Sequence, residues 1–335
     1  MIHEPNLIQA RHGSNKNHSQ LSPFFITSRV SQKKDNGAIA LSLFLVVGFW
    51  GGNNAGTKWL LANWPPVFTG CLRFAVAGVL LLAILRFTNW LGQFEKITPE
   101  LRRQLWLRGG LSLAAYTIVF NWALRLIPAS HVALYLGASP VWALLAEQGP
   151  RRTWVSVRRY SAALIAVAGV LVLFWPALRT QHAGNLPGEL CALMSSFVWA
   201  FYSRQSRWLS TRVNSLEVAA NSMWMAGVIL IPIGLWEIAM HGLEVTPARV
   251  GIMSLCIIFG GVIPYAFWNN ALRVWPASRV LLFNNLIPIT TCVWVHFTLG
   301  EAITPTFYLA MALILLGVIL EQIDLAGVFN LPENF

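Results

Sequence analysis

Of the 335 residues, 56% are hydrophobic and only 11% are charged, roughly half the charged share of a soluble domain. The 24 basic and 13 acidic side chains cannot cover a globule of this size, which excludes a water-soluble fold and leaves a polytopic membrane protein. The formal charge of +11 would point to nucleic acid in a soluble protein, so the placement of the basic residues has to account for it.

In chain order, residues 1–36 are polar, carry Arg11, Lys16, Arg29, Lys33 and Lys34, and lack the apolar core of a signal peptide. They are expected to form a disordered cytoplasmic tail. A helix that crosses a bilayer needs ~20 mainly apolar residues, and ten runs meet that length: 37–59, 65–87, 107–127, 130–148, 157–176, 187–206, 215–239, 251–273, 278–299 and 305–323. These runs are too long and too continuously apolar for barrel strands, so the expected fold is all-α with ten transmembrane helices. A short cytoplasmic tail follows at 324–335.

Residues three, four or seven apart share a helix face. On the first span Trp50, Asn53 and Thr57 share one, with Asn54 beside them, while Gly48, Gly52 and Gly56 form a ridge on which a neighbouring backbone can come close. Lys58 lies near the end of that span, where its long side chain can snorkel outward. Arg73, eight residues into the second span, needs a partner or an aqueous path; it reads equally as a structural anchor. The third span carries Asn121. The fourth has a stripe of His131, Tyr135, Ser139 and Trp142, with Pro140 and Glu147 further on. The sixth has Ser195, Trp199 and Tyr202, and the eighth has Tyr265 and Asn269. On the ninth, Asn285, Cys292 and His296 align beside Asn284, with Pro288 between. Cys71, Cys191, Cys256 and Cys292 all fall in apolar runs without ligand spacing, so they read as packing residues, and no metal or other cofactor is expected.

Basic residues in loops are retained on the cytoplasmic side. With the N-terminal tail inside, 19 of the 24 fall on that side and only Arg125, Arg179 and Arg249 on the other, with Lys58 and Arg73 in spans. The expected topology has both termini in the cytoplasm, and the positive charge needs no nucleic acid.

Comparing the chain with itself reveals a repeat. NWALRLIPAS at 121–130 returns as NNALRVWPAS at 269–278, identical at seven of ten positions. At the same offset of 148 Asn121 meets Asn269, Pro140 meets Pro288, and Gly169-Val170 meets Gly317-Val318. At 149, Trp50 meets Trp199 and Ala77-Gly78-Val79 meets Ala226-Gly227-Val228. Five spans per half is an odd number, so the second repeat, 187–323, must thread the membrane in the opposite sense to the first, 37–176, with an outer linker at 177–186. Such inverted repeats underlie alternating access, with a solute site near the midplane between them. Duplication kept for packing alone is the other reading.

The run FWGGNNAGTKW at 49–59, followed by Pro65-Pro66 and Arg73-Phe74, resembles the opening of an EamA-type carrier of the drug/metabolite transporter superfamily. So do the two turns ending in PAS at 128–130 and 276–278, VWAFY at 198–202, and LGEAIT and LLGVIL at 299–304 and 315–320. The resemblance covers about 37 to 323. It implies a ten-helix carrier with a central cavity, exporting amino acids or other small metabolites from the bacterial cytoplasm across the inner membrane. One departure stands out. The family's acidic residue about 13 positions beyond the mid-span proline is matched by Glu301 after Pro288, but Thr153 stands in the corresponding place after Pro140, and Glu147 comes two turns too early.

Two readings remain open for the polar and aromatic stripes: interhelical packing, or the wall of a cavity. As a wall, Trp50, Asn53, Asn54, Thr57, Asn121, Tyr135, Ser139, Trp199, Tyr202, Tyr265, Asn269 and Asn285 would suit a small amphiphilic or zwitterionic solute. Pro140 and Pro288 each free a backbone carbonyl near mid-span, as a hinge or as a fixed kink. Protons are an open choice of coupling ion, with His131, Glu147 and His296 as candidates; a uniporter needs none of them. The expected function is therefore secondary export of a small metabolite, most simply an amino acid or related amine. The competing function is a membrane-embedded hydrolase or transferase, which would want carboxylates or a His–carboxylate pair clustered at one depth; the sequence carries no HExxH, GxSxG or phosphate loop. No sequence feature fixes an oligomeric state.

Overall fold

The computed structural model describes residues 24–88, 97–139, 142, 154–179, 186–275, 280 and 282–322, and all regular structure among them is helical. The chain falls into two compact units, Met1–Ala40 and Leu41–Phe335. Helix α1 (Phe24–Leu61) begins in the first, within the segment read from sequence as a disordered tail, and every later element belongs to the second. No proline or glycine interrupts 24–36, so the helix of the first apolar run extends backward at little cost once nucleated.

Then come α2 (Pro66–Phe87), α3 (Pro99–Gln104), a π turn (Leu105–Gly110), α4 (Leu111–Leu126) and α5 (Ala129–Gly137). Further along are α6 (Trp154–Arg179), α7 (Leu186–Leu209), α8 (Ser215–His241), α9 (Pro247–Leu255), a second π turn (Cys256–Val262) and α10 (Ile263–Val274). A 3₁₀ turn (Leu282–Leu286), α11 (Ile287–Leu299) and α12 (Pro305–Gln322) complete the described chain. Helix is present in every interval expected from the sequence. Among the described residues, four stretches are long and apolar enough to cross a membrane: Gly37–Leu61, Pro66–Phe87, Ser215–His241 and Pro247–Leu272. The 22 residues of α2 reach ~33 Å at 1.5 Å each, matching a hydrocarbon layer of ~30 Å.

Local chemistry sets the helix starts. Thr98 and Thr246 each accept a hydrogen bond from the third backbone N–H beyond, and each precedes a proline whose missing N–H costs nothing in a first turn. Asn214 caps α8 by accepting from the Leu216 N–H. Large apolar side chains such as Val79, Leu235, Trp236, Met240 and Leu309 remain exposed, as expected of helices whose outer faces meet lipid rather than water.

Close helix crossings occur at glycines paired by the repeat. A Cβ on Gly78 of α2 would lie 2.5 Å from the Trp224 nitrogen and 2.8 Å from the Ala220 oxygen of α8. A Cβ on its repeat mate Gly227, in α8, would lie 2.8 Å from the Cα of Ala75, which is the mate of Trp224. The same holds for α6 and α12. Gly169 approaches Ala310 and Ile314, while Gly317 approaches Ala162 and Ala166, and these residues are again mates at 148. Along α1 the expected glycine ridge is shifted. A Cβ at Gly48 would meet nothing, Gly52 and Gly56 face Trp294 and Cys256, and the closest backbone approach is at Gly51, against Thr290 and Thr291.

Candidate functional site

The Trp50 stripe of α1 organises the centre. The indole of Trp50 donates to the Gly260 carbonyl at 3.2 Å and packs edge-on to Tyr265, with centroids 5.8 Å apart, and against Trp268 at 5.3 Å. One and two turns on, Asn53 and Thr57 accept hydrogen bonds of 3.1 and 3.2 Å from a single nitrogen, Nη1 of Arg73. That guanidinium is 5% exposed, lies over the Phe74 ring at 4.7 Å, and has its Nε buried without a hydrogen-bond partner. Tyr116 stacks on Phe120 and lies 4.9 Å from Trp199, which lies 5.3 Å from Tyr202. Asn53 and Thr57 thus meet at Arg73, Trp50 packs with Tyr265, and Trp199 and Tyr202 join Tyr116.

Other polar residues singled out in the sequence spend their hydrogen bonds locally. Asn54 donates to Thr291 Oγ1 at 3.1 Å, a buried tie from α1 to α11. Asn121 donates to the Pro66 carbonyl at 2.8 Å, which it reaches because Gly70 has no side chain. Asn269 donates to the Tyr265 carbonyl and accepts from Ser215. Tyr135 is fully buried beside Glu189, Ser139 is half-buried after α5, and Asn285 is buried in the 3₁₀ turn. Pro140 and Glu147 lie outside the described residues. Pro288 is not mid-helix as expected. It is the second residue of α11, in a first turn whose N–H groups lack helical acceptors anyway, and the change of helix type comes before it, at Leu282–Leu286.

Charged groups gather where α1, α4 and α11 end and α2 and α5 begin. Lys58 does not snorkel away; its Nζ donates to the carbonyls of Ile127 (2.8 Å) and Arg125 (3.4 Å) at the end of α4. Arg125 donates to the carbonyls of Leu61 and Trp64. The buried Glu237 accepts from the Val67 and Phe68 N–H groups (2.8 and 3.1 Å) at the start of α2. Glu301 accepts from Ala129 N, Ser130 N and Ser130 Oγ (2.9, 3.3 and 3.0 Å) at the start of α5. Acids on N-termini and bases on C-terminal carbonyls match the sign of each helix dipole and fill otherwise orphaned backbone groups. His131 Nδ1 lies 3.0 Å from the buried Glu189 carboxylate, with its ring stacked on Phe307. His296 is exposed, with Nδ1 3.3 Å from the Glu301 carbonyl.

Sequence reasoning left Tyr116, Trp268, Glu189, Glu237 and Thr291 out of the site and left the role of Arg73 open. The available signal for Arg73 was its cost, as a charge a third of the way into an apolar run. For Tyr116 it was only the four-residue spacing to Phe120.

The model of the EamA-like transporter family matches the chain twice, over residues 37–175 and 186–321. Over 221 residues the chain is 26% identical to a probable terminal-alkyne amino-acid exporter of Streptantibioticus cattleyicolor, which covers 64% of this chain and 71% of that protein. Over 302 residues it is 25% identical to a probable amino-acid metabolite efflux pump of Escherichia coli, covering 87% and 96%. A solved crystal structure 20% identical in sequence shares the fold, with a TM-score of 0.55 over 85% of this chain and 96% of its own. The names in this group are those of transporters rather than enzymes.

Proposed function

We propose that this chain, which belongs to the EamA-like transporter family because that family's model matches both of its halves, exports an amino acid or related amine from the bacterial cytoplasm by alternating access. It is a multi-pass membrane protein. In this reading ten spans form two inverted five-helix repeats, 37–176 and 187–323, in the inner membrane, with both terminal tails cytoplasmic. The observation that carries it is the reciprocity of the glycine crossings. In a structure with an internal two-fold axis, the mate of each contact must itself be a contact, and Gly78 with Trp224 against Gly227 with Ala75 meets that condition. Five spans in each half would put that axis in the membrane plane, and halves related so have two nearly equivalent arrangements, one open to each side.

The solute site in this reading is the cluster around Trp50, Asn53, Thr57, Trp199, Tyr202 and Tyr265, with the aromatic walls and few polar groups typical of small-molecule sites. Asn54, Asn121, Tyr135, Ser139, Asn269 and Asn285 support that cluster. The amino-acid class is supported by the names of the two relatives above. For proton coupling, His131 is favoured over His296 because it faces a buried carboxylate.

The test is counterflow of labelled amino acids and amines into proteoliposomes holding the purified full-length protein. Flux is expected for the wild type and its loss for Asn53→Ala, while Asn269→Ala, whose amide bonds within its own helix and to Ser215, retains more. Product formation from a solute without flux would overturn the reading in favour of an enzyme.

A further inference from the structure

We infer that the exported solute carries a carboxylate and that Arg73 is the group that holds it, an assignment that rests on the export reading and narrows its choice between amino acid and amine. The first argument is electrostatic. Arg73 is 95% buried by its 5% exposure, and its hydrogen bonds run from one nitrogen to two neutral oxygens, those of Asn53 and Thr57. Among the described residues no carboxylate pairs with it, and its Nε has no acceptor. A buried charge is stable only when it is paired and its remaining donors are filled. A guanidinium fixed at one end by two acceptors, with a donor free on the other, presents the planar fork that a carboxylate fills with two parallel hydrogen bonds.

The second argument comes from the repeat. At an offset of 149, Trp50, Asn53, Thr57 and Arg73 correspond to Trp199, Tyr202, Ser206 and Ser222. Tyr202 and Ser222 are both buried, at the places that Asn53 and Arg73 take in the first half. The second half therefore fills the equivalent place with a fully buried serine. The helix crossing there does not require a cation, so the arginine is an addition to the packing rather than a demand of it.

The third argument is the surroundings. The guanidinium lies over the Phe74 ring, and Trp50, one turn before its acceptor Asn53, packs on Tyr265. A solute with an apolar side chain and a carboxylate satisfies both parts of this site. An amine lacking the carboxylate would bring a second positive charge toward Arg73, a like-charge approach that selects against it.

The experiment compares matched pairs on the wild-type protein in detergent and in proteoliposomes: leucine with 3-methylbutylamine, phenylalanine with phenethylamine, and tryptophan with tryptamine. Thermal shift and counterflow are read for each, and again for Arg73→Gln and Arg73→Lys. The expected result is that at least one acid shifts melting and moves while its amine does neither. For that acid KM should rise ~10- to 100-fold in R73Q, the factor for losing hydrogen bonds to a charged group, and rise less in R73K. An amine that matches its acid in the wild type, or an unchanged KM for the acid in R73Q, overturns the role of Arg73 and leaves export standing. Flux of neither member of any pair overturns the amino-acid reading and this assignment with it. Because the acid–amine comparison uses the wild type alone, it decides the matter even if R73Q does not fold.

Discussion

The reciprocal glycine crossing makes a prediction that can be worked from the distances. A methyl group on Gly78 would sit 2.5 Å from the Trp224 nitrogen, and one on Gly227 would sit 2.6 and 2.8 Å from the Cβ and Cα of Ala75. Ordinary carbon contacts lie at ~3.5–4.0 Å, so α2 and α8 must part by about 1 Å in either variant, and the obstacle is backbone that cannot rotate away. Overpacking of this kind costs ~1–3 kcal/mol, offset by the ~0.5–1 kcal/mol that alanine gains over glycine inside a helix. Gly78→Ala and Gly227→Ala should each lose about 1–2 kcal/mol. Gly251→Ala in α9, where nothing lies within 4 Å, should be neutral or gain up to about 1 kcal/mol. Since parting the helices for one methyl group makes room for the other, the double variant should lose less than the sum, by ~0.5 kcal/mol or more. Equilibrium unfolding of the detergent-solubilised protein by a denaturing surfactant measures all four. If Gly78→Ala proves as stable as Gly251→Ala, or if the two losses simply add, the shared close contact between mates is refuted.

The helix-end carboxylates give two more. Glu237→Ala should lose ~1–3 kcal/mol in the same assay, because the Val67 and Phe68 N–H groups are left without a carboxylate acceptor in a buried place; an effect under about 0.5 kcal/mol would mean that the α2 terminus is wet. Glu301→Ala should lose a similar ~1–3 kcal/mol, while Glu301→Gln, which keeps one acceptor oxygen for the Ala129 N–H and can turn its amide N–H to the Ser130 hydroxyl, should lose less and retain flux; full stability without flux in that variant would assign Glu301 to coupling instead. For topology, Val245→Cys and Phe87→Cys, both exposed at helix ends, are placed in a background lacking the four native cysteines. An impermeant maleimide should label the first in intact cells and the second only after permeabilisation, and labelling of both from one side would end the inverted arrangement.

Much of the helical framework could be read directly. Apolar runs marked the helices, and NWALRLIPAS against NNALRVWPAS marked the duplication. The partners were harder to read. Helical spacing fixes the angle of a side chain about its own axis but not what stands opposite, so the neighbours Asn53 and Asn54 go different ways, one to Arg73 and the other to Thr291. Lys58, Glu237 and Glu301 stand within or beside apolar runs, and the backbone groups they serve lie 67 to 172 residues away. Pro288 was placed mid-span because hydropathy is blind to the switch from 3₁₀ to α hydrogen bonding just before it.

These placements also separate two uses of charge in an apolar layer. Lys58, Arg125, Glu237 and Glu301 replace water at helix ends, and each lies where the dipole favours its sign. Their energetic reason is complete without a solute. Arg73 lies inside α2, away from any terminus, and its two acceptors are neutral side chains. Replacing water's contribution around a guanidinium with two neutral hydrogen bonds leaves a deficit that the surrounding rings reduce only modestly through cation–π attraction, ~0.5–2 kcal/mol at best. A carrier has a use for such a deficit. On the proposed reading, a solute carboxylate that fills it in an occluded form would bind there more tightly than in open forms, where water competes for the same donors, and a ligand shifts a conformational equilibrium only by such a difference in affinity.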